Sequence, residues 1–262
     1  MTANEVVDRI KANLGIPWNE KTYRDTFKVG DPNTAVKGIA TTFMATLDLI
    51  QRAHAAGLNF VITHEPTFWS DRDTVNELAD DPIYKFKVDF CTRNNMVVWR
   101  YHDHIHARQP DLIWVGLARA LGWQDHETIF QRDRFEFPAT TLGALAADIQ
   151  RRMSVRALRV VGDPKAKVSS AVVGMGYNIP RISPDVDVVI GGENPEAGGT
   201  FDDTEYVMDA AALGRIKGQI ILGHAISEEP GMEDCANWLR GFVSEVPIQF
   251  IRAGEPFWSP KV

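Results

Sequence analysis

The chain has 262 residues, enough for one large or two modest domains with a proper core. Its 44% hydrophobic and 24% charged content is that of an ordinary globular protein, and a net charge of −7 gives no electrostatic footprint for nucleic acid or an anionic membrane. No apolar stretch approaches the roughly 20 residues of a membrane span, Met1-Thr2-Ala3-Asn4-Glu5 is not a signal peptide, and Cys91 and Cys235 sit in neither a disulfide framework nor a metal-type spacing, so the expected compartment is the cytoplasm.

Thr2-Ala3-Asn4-Glu5 has capping-box spacing, and Val6, Val7, Ile10 and Leu14 form one helical face that stops at Gly15. Residues 16–34 read as loop, with Pro17, Gly30 and Pro32. A strand over 36–42, a helix over 46–56 and a strand over 58–63 follow, and His64-Glu65-Pro66 lies just past the last of these. Residues 82–94 read as a helix with Pro82 in its first turn. The apolar run Met96 to Tyr101 reads as a buried strand that leads straight into His102-Asp103-His104-Ile105-His106. If the strand continues, alternation points His102, His104 and His106 to one side.

A helix over 110–121 comes next, then an aromatic, charged connection over 123–139 with at most one strand. A helix over 140–153 is followed by strands over 155–161 and 169–175. A strand over 186–190 runs into Gly191-Gly192-Glu193, a helix spans 204–213, and Gln219 to Leu222 delivers Gly223-His224. Pro230 marks the start of a helix to Phe242, and 248–251 is a last strand. The repeated alternation argues for an α/β architecture, with 123–139 as a break between two lobes.

Seven histidines are spread over the chain, three of them in one run of five residues. Three groups of donor side chains share a placement just beyond the carboxyl end of an apolar strand: His64-Glu65, His102 to His106, and His224 with Glu228. Open α/β sheets bind ligands at that edge, so segments distant in sequence can converge there. Neutral imidazole and carboxylate together suit a divalent transition metal. The plainer alternatives are a solvated strand end for the histidine run, a turn acid for Glu65, and acids that merely charge the first turn of the next helix for Glu228 and Glu229. A four-residue separation puts His224 and Glu228 on one face of a helical turn. His54 and His126 read as surface or structural histidines, and Phe68, Trp69 and Trp99 as core before pocket wall.

Residues 58–66, the histidine run, and Gly223-His224-Ala225-Ile226-Ser227-Glu228-Glu229-Pro230-Gly231 resemble the three signature segments of the Nif-three-like dinuclear metal family, some members of which are called type-2 GTP cyclohydrolase I proteins. The family pattern has Thr-His-His-Pro first and His-Thr-Asn-Leu-Asp second. Here Glu65 stands for the second histidine and His106 for the aspartate, so three histidines and two carboxylates are kept in exchanged positions. The resemblance implies two similar α/β lobes with mixed sheets flanked by helices, and a metal pair in the cleft between them. The expected lobes are residues 1–125, carrying His64 and the histidine run, and 126–262, carrying His224 and Glu228, with interleaving at the chain ends. It implies the ligand set His64, Glu65, His106, His224 and Glu228. His104 or Asp103 is an added candidate, His102 binds directly or supports a ligand, and Glu193 lies near the pocket. It also implies two divalent ions per chain (zinc, iron, manganese, cobalt or nickel) and a ring-shaped homohexamer.

The leading functional expectation is metal-assisted hydrolysis, with Glu65 or Glu229 as general base where it is not metal-bound, and the resemblance implies a small, nucleotide-like substrate with ring opening as in a GTP cyclohydrolase. The alternative is a metal-storing or metal-delivering protein of the same family. A third reading takes His102 to His106 as the His-x-His element of a metallo-β-lactamase-type or amidohydrolase-type enzyme, on fold-level analogy alone.

Overall fold

The computed structural model describes residues 1–124, 133–178, 180–196, 201–258 and 260. His126 lies outside the described residues. The chain is mixed α/β, with two five-stranded sheets flanked by helices. It divides into two compact units: Met1–Gly116 with Gly231–Ala253, and Leu117–Pro230 with Gly254–Val262. Among the described residues no helix is long and apolar enough to cross a membrane.

In the first unit α1 (Ala3–Ala12) opens on the expected capping box. Thr2 Oγ1 accepts from the Glu5 N–H at 3.2 Å, and Glu5 Oε2 accepts from the Thr2 N–H at 2.7 Å. The sheet runs β1 (Phe27–Val29), β4 (Val97–Arg100), β3 (Phe60–Thr63), β2 (Ile39–Thr42), β10 (Ile248–Phe250) in spatial order. β10, β2, β3 and β4 are mutually parallel, and β1 is antiparallel to β4. β2, β3 and β4 are buried throughout, which is why they read as unbroken apolar runs. β1, in a stretch whose sequence reads as loop, is three half-buried residues on the sheet edge, too short for any periodicity.

Helices α2 (Leu47–Ala55) and α3 (Pro82–Arg93) flank this sheet. Thr46 caps α2, accepting from the Leu49 N–H, and Asp81 caps α3, accepting from the Ile83 N–H, with Pro82 in the first turn as expected. Leu49, Ile50, Ala53 and Cys91 from the helices meet Ala40, Leu58, Val61, Met96 and Val98 in a core closed to water. Each Leu, Ile or Val so buried contributes roughly 1.5–3 kcal/mol.

The histidine run is not a strand continuation. After Arg100 the chain turns into α4 (Asp103–Ala107), and α5 (Leu112–Leu121) follows. At this turn the carboxylate of Asp25 accepts from the backbone N–H groups of His102 (2.5 Å), Asp103 (2.9 Å) and His104 (2.9 Å). Those donors have no partner inside a helix that begins here, so an acceptor supplied from outside makes the turn possible.

The second sheet has the order β5 (Arg134–Thr141), β7 (Lys167–Val173), β8 (Val188–Gly191), β9 (Gly218–Ile221), β6 (Arg159–Gly162). β7, β8 and β9 are parallel, and the outer strands β5 and β6 are antiparallel to their neighbours. α6 (Leu142–Met153), capped by Thr141, and α7 (Asp202–Ala212) accompany it. α8 runs from His224 to Leu239 with Pro230 inside it, so the expectation of a helix starting at Pro230 is overturned. Proline in a helix interior has no N–H for the carbonyl four residues back, here Ile226. Burial of residues 225–229 favours continuing the helix despite that cost.

Candidate metal centre

β3 and β4 are parallel neighbours in register, Thr63 opposite Arg100, so the residues after them leave from the same edge of the sheet. His64 follows β3 and is fully buried. Its Nδ1 lies 3.1 Å from the Tyr101 carbonyl, which can only accept, so Nδ1 carries a proton and Nε2 is the atom left to face a ligand. His102, at the start of α4, and His106, within it, are four apart, and their ring centroids lie 5.0 Å from each other. His106 Nδ1 donates to Asp111 Oδ2 at 2.9 Å, and His102 Nδ1 to Asp103 Oδ1 at 3.2 Å.

Each of the three rings is thus held through Nδ1 by an oxygen acceptor, the arrangement that orients metal-bound histidines and raises their basicity. His64, His102 and His106 each offer a ligand atom within 4.8 Å of the others. His64 Nε2 and His106 Nε2 are 3.2 Å apart. With both Nδ1 atoms protonated, the two Nε2 atoms at this distance need either one further proton or a shared cation between them. Two nitrogens bound tetrahedrally to one zinc-like ion are about 3.3 Å apart. The His102 imidazole is pushed down to about 3, first by burial and then by His64 and His106, so it is neutral at ordinary pH and its lone pair is available.

Glu65 borders this cluster. Its Oε2 is 3.2 Å from Arg100 Nη2 and its Oε1 is 3.8 Å from His102 Nε2. His104 is turned elsewhere: Nδ1 meets Asp25 Oδ2 at 2.5 Å, Nε2 accepts the Asn19 N–H at 2.8 Å, and the ring stacks on Trp18 at 3.7 Å. Both ring nitrogens are engaged, because helical spacing sends position 104 away from 102 and 106. Asp103 is held below the usual carboxylate range: burial pulls the other way, but hydrogen bonds from Thr22 and Arg24 prevail.

The second group lies in the other unit. β8 and β9 are parallel with Gly191 opposite Ile221, and Glu193 and His224 follow their ends. His224 Nδ1 is 2.5 Å from Glu193 Oε1, and its Nε2 is 3.0 Å from Glu228 Oε2. An imidazole between two carboxylates needs either a second proton or a cation beside Nε2 and Glu228. Gly176, in the left-handed region at φ 51°, leaves the room for this: a Cβ there would stand 2.2 Å from Glu228 Oε1 and 3.0 Å from His224 Nε2. Ser227 Oγ joins the pieces, accepting the Gly176 N–H at 2.9 Å and donating to the His224 carbonyl at 2.8 Å. Glu229 is buried and its Oε1 accepts the Gly254 N–H at 2.9 Å.

Asp25, Arg100, Asp111 and Gly176 escape sequence reasoning. Asp111 alone carries a local signal, as an acid just before an apolar helical run. One of its oxygens caps α5 through the Ile113 N–H (2.8 Å) while the other holds His106.

The family model described as Duf34/NIF3 (NGG1p interacting factor 3) matches residues 1–256. Among solved structures, Staphylococcus aureus protein SA1388 is similar with a TM-score of 0.74 at 15% identity, over 99% of each chain. A Bacillus cereus protein related to NIF3 gives 0.69 at 13% identity, again over 99% of each chain. TTHA1606 from Thermus thermophilus gives 0.67 at 18% identity, over 98% of this chain and 100% of that one. At such identities the likeness carries the fold alone. Nothing among the curated proteins matches the chain.

Proposed function

Because the chain belongs to the Duf34/NIF3 family, we propose that it holds two divalent metal ions and uses them as a hydrolase on a small, nucleotide-like substrate. His64, His102 and His106 hold one ion, and His224 with Glu228 holds the other. The observation that carries this reading is the pair of Nε2 atoms 3.2 Å apart on His64 and His106, both rings fixed through Nδ1. The donors are imidazole nitrogen and carboxylate oxygen, which suit zinc, iron, manganese, cobalt or nickel.

A divalent ion so held supplies Lewis acidity and acidifies bound water. The chain's own part is to aim the imidazoles and to take up a proton. We assign the proton to Glu65 Oε1, on the His102 side, rather than to Glu229, which is committed to the Gly254 N–H. Arg100 holds the other oxygen of Glu65 and so fixes the direction in which Oε1 points. The homohexamer belongs to the same reading through the family resemblance, and the cytoplasmic location is proposed from the isolated cysteines.

The test is turnover of a panel of nucleotides and phosphoesters by metal-loaded protein. Activity is expected in the loaded protein, lost on chelation, and lowered about 10²–10⁴-fold in Glu65→Gln. Bound, exchangeable metal with no turnover on the panel would contradict the hydrolase and favour storage or delivery.

A further inference from the structure

We propose that Asp25 is a positioning residue for the histidine cluster: its carboxylate holds the turn that brings the His102 and His106 imidazoles together. The inference rests on the metal-holding reading only for what those imidazoles then bind.

The N-terminal N–H groups of a helix need acceptors from outside the helix, usually from the residue at its start. At the start of α4 that residue is His102, which makes no side-chain cap. Asp25 fills that place from 77 residues away, with Oδ1 on the His102 and Asp103 N–H groups and Oδ2 on the His104 N–H and imidazole Nδ1. Its side chain is fully enclosed. A buried carboxylate is costly unless hydrogen-bonded, and four N–H donors offset that cost.

The same loop reaches α4 at two more points. Trp18 and Asn19 hold the His104 ring, and Thr22 and Arg24 hold Asp103, whose Oδ1 receives His102 Nδ1.

The local sequence leans the other way. Residues 96–101 favour an extended chain, and a strand carried on through the histidines would separate positions 102 and 106 by about 13 Å. In the turn their ring centroids are 5.0 Å apart. Asp25 therefore selects between two arrangements of one sequence, and only one of them assembles the cluster.

The experiment compares Asp25→Asn with Ile50→Val, a core change in α2, by histidine side-chain NMR on metal-free protein and by cobalt titration. In Asp25→Asn the His102 and His106 imidazole resonances are expected to move, and cobalt affinity to fall about 10–100-fold, the usual loss when a partner behind a ligand is removed. In Ile50→Val both are expected to stay at wild-type values although the melting temperature drops. Unmoved resonances in Asp25→Asn, or equal movement in Ile50→Val, would overturn the proposal. If Asp25→Asn does not fold, His104→Phe, which keeps a ring on Trp18 but removes one of the four donors, is read in the same way. Resonances that respond to Asp25→Asn in a protein that takes up no cobalt would uphold the positioning role and overturn the metal reading alone.

Discussion

Arg100→Met is expected to lower the stability of the protein by about 3 kcal/mol, the cost of breaking a buried charged network from one side. Arg100 is 1% exposed at the end of β4. Its guanidinium donates to the carbonyls of His64 (3.0 Å) and Asp71 (2.6 Å) and to the carboxylates of Glu65 and Asp71 (both 3.2 Å). Asp71 is half exposed, so that ion pair is screened and adds little. The expected loss comes from the two carbonyls and Glu65, which methionine leaves without their donor while filling similar space.

The segment after His64 also needs holding, since Trp69 (φ 46°), Asp73 (φ 55°) and Asn76 (φ 44°) are all left-handed without being glycine. Each such residue costs on the order of 1 kcal/mol and persists only where its surroundings over-determine it. Two other cations help to hold it. Lys28 pairs with Asp73 at 3.0 Å, and Lys87, pushed down to about 8 by burial, donates to the Thr67 carbonyl at 2.6 Å. Urea denaturation followed by circular dichroism measures the loss, and a change below about 1 kcal/mol, ordinary for a surface substitution, would contradict this role for Arg100.

Two neighbouring glycines are expected to fail in different ways when changed to alanine. At Gly192 a Cβ would lie 2.5 Å from the Gly176 nitrogen and 2.8 Å from its carbonyl oxygen. Those are backbone atoms that cannot swing aside, so Gly192→Ala is expected to cost about 3 kcal/mol by overpacking. At Gly176 the obstructing atom is Glu228 Oε1, the end of a side chain. Gly176→Ala is expected to cost only the left-handed backbone, about 1–2 kcal/mol, while displacing the Glu228 carboxylate and emptying the His224 group of metal. Melting curves and metal content measured on both variants separate the effects. Equal metal content in Gly176→Ala and wild type would show that the space beside Glu228 is not needed.

How much of this is legible in the sequence depends on whether the cause is local. The capping box at Thr2 and Glu5, the proline at the start of α3, and the buried runs of β3 and β4 are written in adjacent residues, and the structure has them at those positions. So are the strand ends that carry His64 and His224. The histidine run reads as extended because its conformation is decided by Asp25, which no pattern around residue 102 announces. Arg100 likewise closes an apolar strand without any sign that His64, Glu65 and Asp71 will converge on its guanidinium. Pro230 reads as a helix start on the usual preference of proline for a first turn, whereas the burial of Ala225 to Glu229 carries α8 through it. Strand periodicity groups His104 with its neighbours, and the helix sends it to Asn19 and Asp25 instead.

The most direct measurement is elemental analysis of the purified protein beside His106→Ala and His224→Ala. About two divalent ions per chain are expected in the wild type and about one in each variant, with far-ultraviolet circular dichroism unchanged. A wild-type protein that carries no metal after loading, or two variants that both keep the full complement, would contradict the assignment of these histidines to metal.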